Sequence, residues 1–337
     1  MSYLRFLGFP FAIIYGLVTS FRNYLYYKGW LKSTEYSIPI ICVGNLSVGG
    51  TGKSPMIAYL AKLLSPKYSV AVLSRGYKRK TKGFLEVELD HTAREVGDEP
   101  LQFKQNFPDI TVAVCADRRT GIEHLKKHHD LVLLDDAFQH RKVKAKLNIL
   151  LTAYDDLYID DYMLPMGMLR EPIAGASRAE IIVVTKCPDY FPYAKQQEIQ
   201  FRLGLNPNQK LYFSKVGYDT QICGKSEQQP LEYLKDKQFT LVTGIAKPKP
   251  LVEFLQKGGS TFKHEKFPDH HDFSTSEISK LSKEDIILTT EKDYMRLIPH
   301  IDKFALYYLP IKTILLNEQE GFFKERVMKA LHNGTNT

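Results

Sequence analysis

"GNLSVGGTGKSP", residues 44–55, nearly spells a phosphate-binding loop. In the pattern G-x-x-x-x-G-K-[ST], backbone N–H groups wrap the phosphates, the Lys reaches the β- and γ-phosphates and the hydroxyl holds Mg²⁺. Gly52, Lys53 and Ser54 fit, while Ser47 stands where the first glycine belongs. Gly49 and Gly50 still permit close backbone approach, and Thr51 completes the set Gly49, Gly50, Thr51, Gly52, Lys53 and Ser54 that is expected to bind nucleotide. Pro55 is tolerable because the first turn of a helix has no intrahelical use for its N–H. The apolar run 38–44 precedes the loop and the helix-like segment 54–65 follows it, which is the strand–loop–helix setting a phosphate loop requires.

Outward from the loop, short β-branched runs alternate with helix-like segments. Strands are expected at 38–44, 69–75, 110–115, 130–136, 147–153 and 180–186, with helices at 54–65 and 117–128. Several runs are continuously apolar, as strands of a parallel sheet buried on both faces should be. After about residue 210 the chain turns polar and turn-rich, and a second series follows with strands near 239–244, 285–290 and 304–310 and a helix at 318–331. The reading is an α/β protein: a P-loop-containing, doubly wound, mostly parallel sheet domain at 34–215 and a second, smaller α/β domain at 216–337.

The first 33 residues differ. "YLRFLGFPFAIIYGLVTSF" (3–21) is strongly apolar, and Tyr24, Tyr26, Tyr27 and Trp30 follow beside Arg22, Lys28 and Lys32. This is borderline for a bilayer span of about 20 residues, and the aromatic–basic flank suits a membrane interface. Residues 1–33 are therefore expected to form an N-terminal membrane-anchor helix, spanning the membrane or lying in it. The formal net charge of +8 favours an anionic partner. No nucleic-acid recognition motif accompanies it, so nucleic acid is not expected as a partner. Cys42, Cys115, Cys187 and Cys223 lack metal-site spacing and read as reduced thiols, which suits the cytoplasmic side.

Other motifs cluster at predicted strand ends. "LVLLDDAFQH" (131–140) resembles a Walker B strand, placing Asp135 and Asp136 near the nucleotide metal. "SRGYKRK" (74–80) delivers Arg75, "CADRR" (115–119) delivers Arg118 and Arg119, and "VGDEP" (96–100) puts Asp98 and Glu99 on a loop or helix start. In an open parallel sheet, ligands bind outside the carboxyl ends of the strands, so these groups converge on one crevice. In "FPDHHDF" (267–273) adjacent histidines chelate poorly, and one His beside a carboxylate for proton transfer is the stronger reading. "VTKCPD" (184–189) has the wrong spacing for a guanine reader.

Taken in order, "VGNLSVGGTGKSP", "SRGYKRK", "VGDEP", "DDAFQHRK", "LREP", "VVTK", "DHHDF" and "TEKD" closely resemble the tetraacyldisaccharide 4′-kinase family of lipid A biosynthesis. In that family the position of Ser47 is usually Ser or Thr. The resemblance implies transfer of the ATP γ-phosphate to the 4′-hydroxyl of an acylated disaccharide 1-phosphate. That lipid would be held in the cytoplasmic leaflet of the inner membrane, with the catalytic domains on the cytoplasmic face and no obligate protein partner. ATP and Mg²⁺ are the implied cofactors. Asp98 becomes the general base, paired with a histidine of "DHH": His270, which directly follows Asp269, ahead of the alternative His271. Asp135, Asp136, Arg118 and Arg170 join the catalytic set, Ser54 and Asp135 face Mg²⁺, and Glu99, Glu171 and Arg75 contact substrate. Ala137 departs from the glycine usual in the family. The competing reading is a membrane-associated P-loop ATPase or switch protein, which gives "VGDEP" and "DHH" no task.

Overall fold

The computed structural model describes residues 8–225, 227–269, 271–301 and 305–332. Helix α1 (Phe9–Tyr27) precedes strand β1 (Ile40–Asn45), helix α2 (Lys53–Leu64), β2 (Val70–Ser74) and the two-residue β3 (Leu85–Glu86). Then come the single turn α3 (Ala93–Val96), α4 (Asp98–Asn106), β4 (Thr111–Val114), α5 (Arg118–Leu125), β5 (Leu131–Asp135) and β6 (Leu147–Ala153). β7 (Ile181–Thr185), α6 (Tyr193–Leu203) and β8 (Lys210–Tyr218) complete this series.

These strands form one sheet in the order β8-β7-β6-β1-β5-β2-β4-β3, extended beyond β8 by a ninth strand described below. From β8 to β4 every pairing is parallel, and only β3 runs antiparallel. β1, β2, β5 and β7 are buried at every residue, because helices cover both faces of a parallel sheet. The chain leaves β1 toward β2 and β4, returns to insert β5, then crosses to β6. The loop after β1 therefore opens at the point where the winding reverses, which is where such sheets bind ligands.

A second sheet follows: β9 (Gln221–Cys223), β10 (Gln228–Pro230), β11 (Phe239–Thr243), α7 (Lys249–Lys257), β12 (Phe262–Lys266), α8 (Thr275–Leu281), β13 (Ile287–Thr289), α9 (Glu291–Leu297) and β14 (Leu306–Tyr308). Its order is β10-β9-β14-β13-β11-β12, parallel from β14 to β12 and antiparallel at β9 and β10. Its core is separate, built on Leu241, Leu288, Leu251 and Tyr307 on one side and Val242, Tyr294 and Leu297 on the other.

The C-terminal end corrects the expected domain limits. β15 (Ile311–Leu315) adds to the first sheet beside β8, and α10 (Gln319–His332) follows it. The described residues up to Val216 and from Thr313 form one compact unit, and Gly217–Lys312 form the other. The cause is Phe323 of α10, which is fully buried and meets Tyr59 of α2 and Tyr212 of β8 edge-on at 5.7 and 5.1 Å. Its sequence announces an amphipathic helix but not which sheet will cover it.

α1 also differs from one expected form. Among the described residues no helix is long and apolar enough to cross a membrane. Ala12 and Thr19 are its buried positions, while Phe11, Ile14, Leu17, Val18 and Phe21 stay exposed along one stripe.

Candidate active site

The phosphate loop is shaped by two glycines. Gly52 caps α2 at φ 86° and Gly49 sits at φ 130°, both conformations that L side chains resist. Thr185 at the end of β7 donates its hydroxyl to the Thr51 carbonyl (2.8 Å), which fixes the loop from below. Gly50 faces Lys186, whose ammonium would lie 3.8 Å from a side chain at that position. Lys53, first residue of α2, donates to Asn45 Oδ1 at 3.3 Å and lies 3.6 Å from Asp136 Oδ1.

Asp135 ends β5, and Asp136 turns out of it at φ 48°, so the strand's alternation stops between them. Both carboxylates consequently feel Lys53 and Arg118. Arg170 grips Asp136 with both guanidinium nitrogens (3.1 and 2.8 Å) and also reaches the Asn45 carbonyl (3.2 Å) and its side-chain oxygen. Desolvation alone would raise the Asp136 pKa, but the Arg170 hydrogen bonds, with Lys53 and Arg118, outweigh it and hold the group below the usual carboxylate range.

Asp135 is the opposite case. It is 7% exposed, and its Oδ2 accepts only a long bond from the Ser74 hydroxyl (3.4 Å), while its buried Oδ1 accepts none. Burial first, then Glu99 and Asp136, push its pKa well above the ordinary range against the pull of Lys53 and Arg118. A small cavity beside it is lined by Ser54, Ser74, Glu99 and the apolar Ile57, Val72 and Phe103. The polar side chains at this cavity, Asp135 with its orphaned buried oxygen, Glu99, Ser54 and Ser74, carry only oxygen donors, which suits a hard divalent cation such as Mg²⁺. Among the described residues no group of three or more His, Cys, Asp or Glu could hold a metal. Mg²⁺ at a phosphate loop takes few protein ligands and relies on phosphate oxygens and water.

Asp98 and Glu99 form the exposed first turn of α4, where the helix dipole favours acids. Gly97 precedes them at φ 95°, packed so closely that a side chain there would meet the Tyr77 carbonyl at 3.2 Å. Arg118 is 3% exposed and donates to the Asp136 and Ala116 carbonyls (3.3 and 3.1 Å). Its neighbour Arg119 is tied outward to Asp117 (2.8 Å). Exposed Arg75 lies near enough to Arg118 to repel its charge. His140, beside Asp117 at 3.7 Å, is kept neutral chiefly by burial, with a pKa lowered to about 4.

Glu171 departs from its expected substrate contact. It is 3% exposed and accepts from Arg178 (2.8 Å), Gln139 (3.0 Å) and Asn23 (3.1 Å). Its carboxylate is committed to the fold, where it joins α1 to the site. Tyr15 of α1 donates to the Arg170 carbonyl (2.9 Å), and Arg141 donates to the Asn23 carbonyl (2.9 Å). The apolar helix is thus fastened to the same two segments that carry Asp136 and Arg170. Asn45 and Gln139 are the site residues that motif reading passed over. Asn45 is fully buried, and Gln139 donates to its carbonyl at 2.7 Å. The available signal was a single polar side chain at the end of an otherwise apolar strand.

In the second unit, His270 lies outside the described residues. His271 is occupied: its Nε2 pairs with Glu277 (3.0 Å), and its ring stacks on Phe267 and meets Phe273 edge-on.

A strand–glycine loop–helix at the reversal point of a parallel sheet, with a lysine and a hydroxyl on the helix start and acids at the end of the adjacent strand, has the form of a P-loop nucleotide-binding site. The chain belongs to the tetraacyldisaccharide-1-P 4′-kinase (LpxK) family, whose model matches residues 4–332. It is 51% identical over 328 residues to a tetraacyldisaccharide 4′-kinase of Flavobacterium johnsoniae, covering 96% of each chain. It is 42% identical over 354 residues to the one of Bacteroides thetaiotaomicron, covering 97% of this chain and 93% of that one. The crystal structure of LpxK from Aquifex aeolicus in complex with ATP superposes with a TM-score of 0.79 at 31% identity, covering 98% of this chain and all of that one. The protein is a kinase of lipid A biosynthesis.

Proposed function

We propose that this enzyme transfers the γ-phosphate of ATP to the 4′-hydroxyl of a tetraacylated disaccharide 1-phosphate, with Mg²⁺. The observation that carries the reading is the phosphate loop itself, with Lys53 held between Asn45 and Asp136 and the orphaned Asp135 oxygen beside Ser54. The solved relative binds ATP. Loop N–H groups and Lys53 hold the phosphates, and Arg118 and Arg170 keep Asp136 in place. Ser54 and Asp135 would hold Mg²⁺, which neutralises phosphate charge when bound.

Asp98 takes the proton of the acceptor hydroxyl, and His270 acts with it as orienting partner. The new sugar O–P bond forms as the bond from the γ-phosphorus to the β-phosphate oxygen breaks, releasing ADP. Phosphoryl transfer asks for positioning and charge neutralisation more than for covalent chemistry. His270 is favoured over His271 because the latter's ring is already bonded and stacked. Glu99 and Arg75, both exposed at the crevice, serve the acceptor. α1 lies in the interface of the inner membrane's cytoplasmic leaflet, its exposed stripe among acyl chains and the exposed Lys28 and Lys32 toward headgroups, while Arg22 donates to the Gln139 carbonyl. Asp98→Ala should lower kcat at least a hundredfold while ATP still binds; near-normal turnover would remove Asp98 from the base role.

A further inference from the structure

Ser47 stands where the first glycine of a phosphate loop belongs, and its backbone is held by a neighbouring segment. It pairs antiparallel with Leu169, an extended conformation that any residue can adopt. On either side, Val48 donates its N–H to the Met168 carbonyl (2.7 Å), and Arg170 donates its own to the Leu46 carbonyl (2.8 Å). The front of the phosphate loop and residues 168–170 thus form one short ladder. Arg170 ends it, and from there its guanidinium forks onto Asp136.

The Leu46 carbonyl holds the Arg170 N–H. The Arg170 carbonyl is held from outside the ladder, by Tyr15 of α1, whose hydroxyl donates to it at 2.9 Å. Tyr15 belongs to the strongly apolar run of that helix, where phenylalanine would supply the same ring. The hydroxyl is therefore the part of Tyr15 that an apolar stripe does not need. Tyr15, Thr19 and Asn23 recur every four residues and share one face of α1. Thr19 is buried on that face, and Asn23 donates to Glu171, the residue after Arg170. Leu17 and Phe21 fall on the opposite side and stay exposed.

We propose that Tyr15 is a positioning residue for phosphoryl transfer: its hydroxyl fixes the Arg170 backbone so that the guanidinium stays in register with Asp136 and the phosphate loop. The inference rests on the assignment of Arg170 to the reaction. Its test is a double-mutant cycle in the full-length enzyme. Tyr15→Phe, Arg170→Ala and the double variant are assayed in detergent micelles for kcat with saturating Mg-ATP and acylated disaccharide 1-phosphate. The KM for each substrate and a calorimetric melt are recorded for all three.

Tyr15 is 37% exposed, so water can replace the lost bond, and Tyr15→Phe should melt within a few degrees of the wild type. Displacing a reacting group by about an ångström costs roughly a hundredfold. The ladder bonds that remain limit the shift, so Tyr15→Phe should lower kcat about 5- to 20-fold and leave the acceptor KM unchanged. On the Arg170→Ala background the same change should cost less than about twofold, because both act through one guanidinium. Unaltered kcat in Tyr15→Phe, or an equal loss on both backgrounds, would overturn the positioning role. So would a raised acceptor KM at constant kcat, which would make Tyr15 a lipid contact. Near-normal kcat in Arg170→Ala would instead overturn the assignment of Arg170 on which the inference rests.

Discussion

Asp135→Asn should make the ligand-free enzyme more stable while removing its activity. The wild-type carboxylate is 7% exposed, has one oxygen without a hydrogen bond, and is disfavoured as an anion by burial and by Glu99 and Asp136. Leaving a buried polar group unsatisfied costs about 1–3 kcal/mol. Asn removes the buried charge, and at about 2–4 °C per kcal/mol for a unit of this size relief of about 1–3 kcal/mol should raise Tm by roughly 2–12 °C. Because the folded pKa is raised, protonation stabilises the fold below the unfolded value, near pH 4, and this contribution is lost as pH rises through the folded value. The gain from Asn should thus be absent near pH 4, grow toward neutrality and then level off. Scanning calorimetry of both proteins without nucleotide from pH 4 to 8.5 provides the assay. A variant that melts lower at pH 8, or a gain independent of pH, would refute the reasoning.

Arg170→Lys cannot reproduce the fork on Asp136, so kcat should fall at least tenfold. The acid limb of the pH–rate profile should move upward, because the depressed Asp136 pKa depends on those bonds once desolvation is overcome. Gly44→Ala would place a carbon 2.6 Å from Phe138 Cβ and 3.0 Å from its backbone nitrogen, neighbours that cannot rotate aside. It should cost about 1–3 kcal/mol in a melt and lower kcat, since Phe138 follows the acidic pair. Leu17→Ser with Phe21→Ser removes two exposed apolar side chains of α1 and should weaken cosedimentation with anionic phospholipid vesicles at least tenfold. Unchanged binding would count against the interfacial helix.

The central strands were legible because burial on both faces writes itself as unbroken apolar runs, as in β1, β5 and β7. The phosphate loop, the Asp135–Asp136 pair and the acidic start of α4 were readable from residue type and spacing. Other elements were not. β12 reads "FKHEK" and has no buried residue, since it is an edge strand without a core-facing row. β8 runs where the chain turns polar, and Lys210, Ser214 and Lys215 hide its buried centre. The return of α10 to the first unit depends on Phe323 finding Tyr59 and Tyr212, a contact that no local pattern encodes. At the site, Glu171 carried the right motif but a fold-holding task, and Asn45 gave no charge signal. Hydrogen-bond partners distant in sequence decide both.

The central claim is tested most directly by incubating the purified protein with Mg-ATP and acylated disaccharide 1-phosphate in detergent micelles and following the lipid by mass spectrometry. The account predicts a bis-phosphorylated lipid formed in equal amount with ADP, and none with Asp98→Ala. ADP released at the same rate with or without the acceptor, and no doubly phosphorylated lipid, would contradict it.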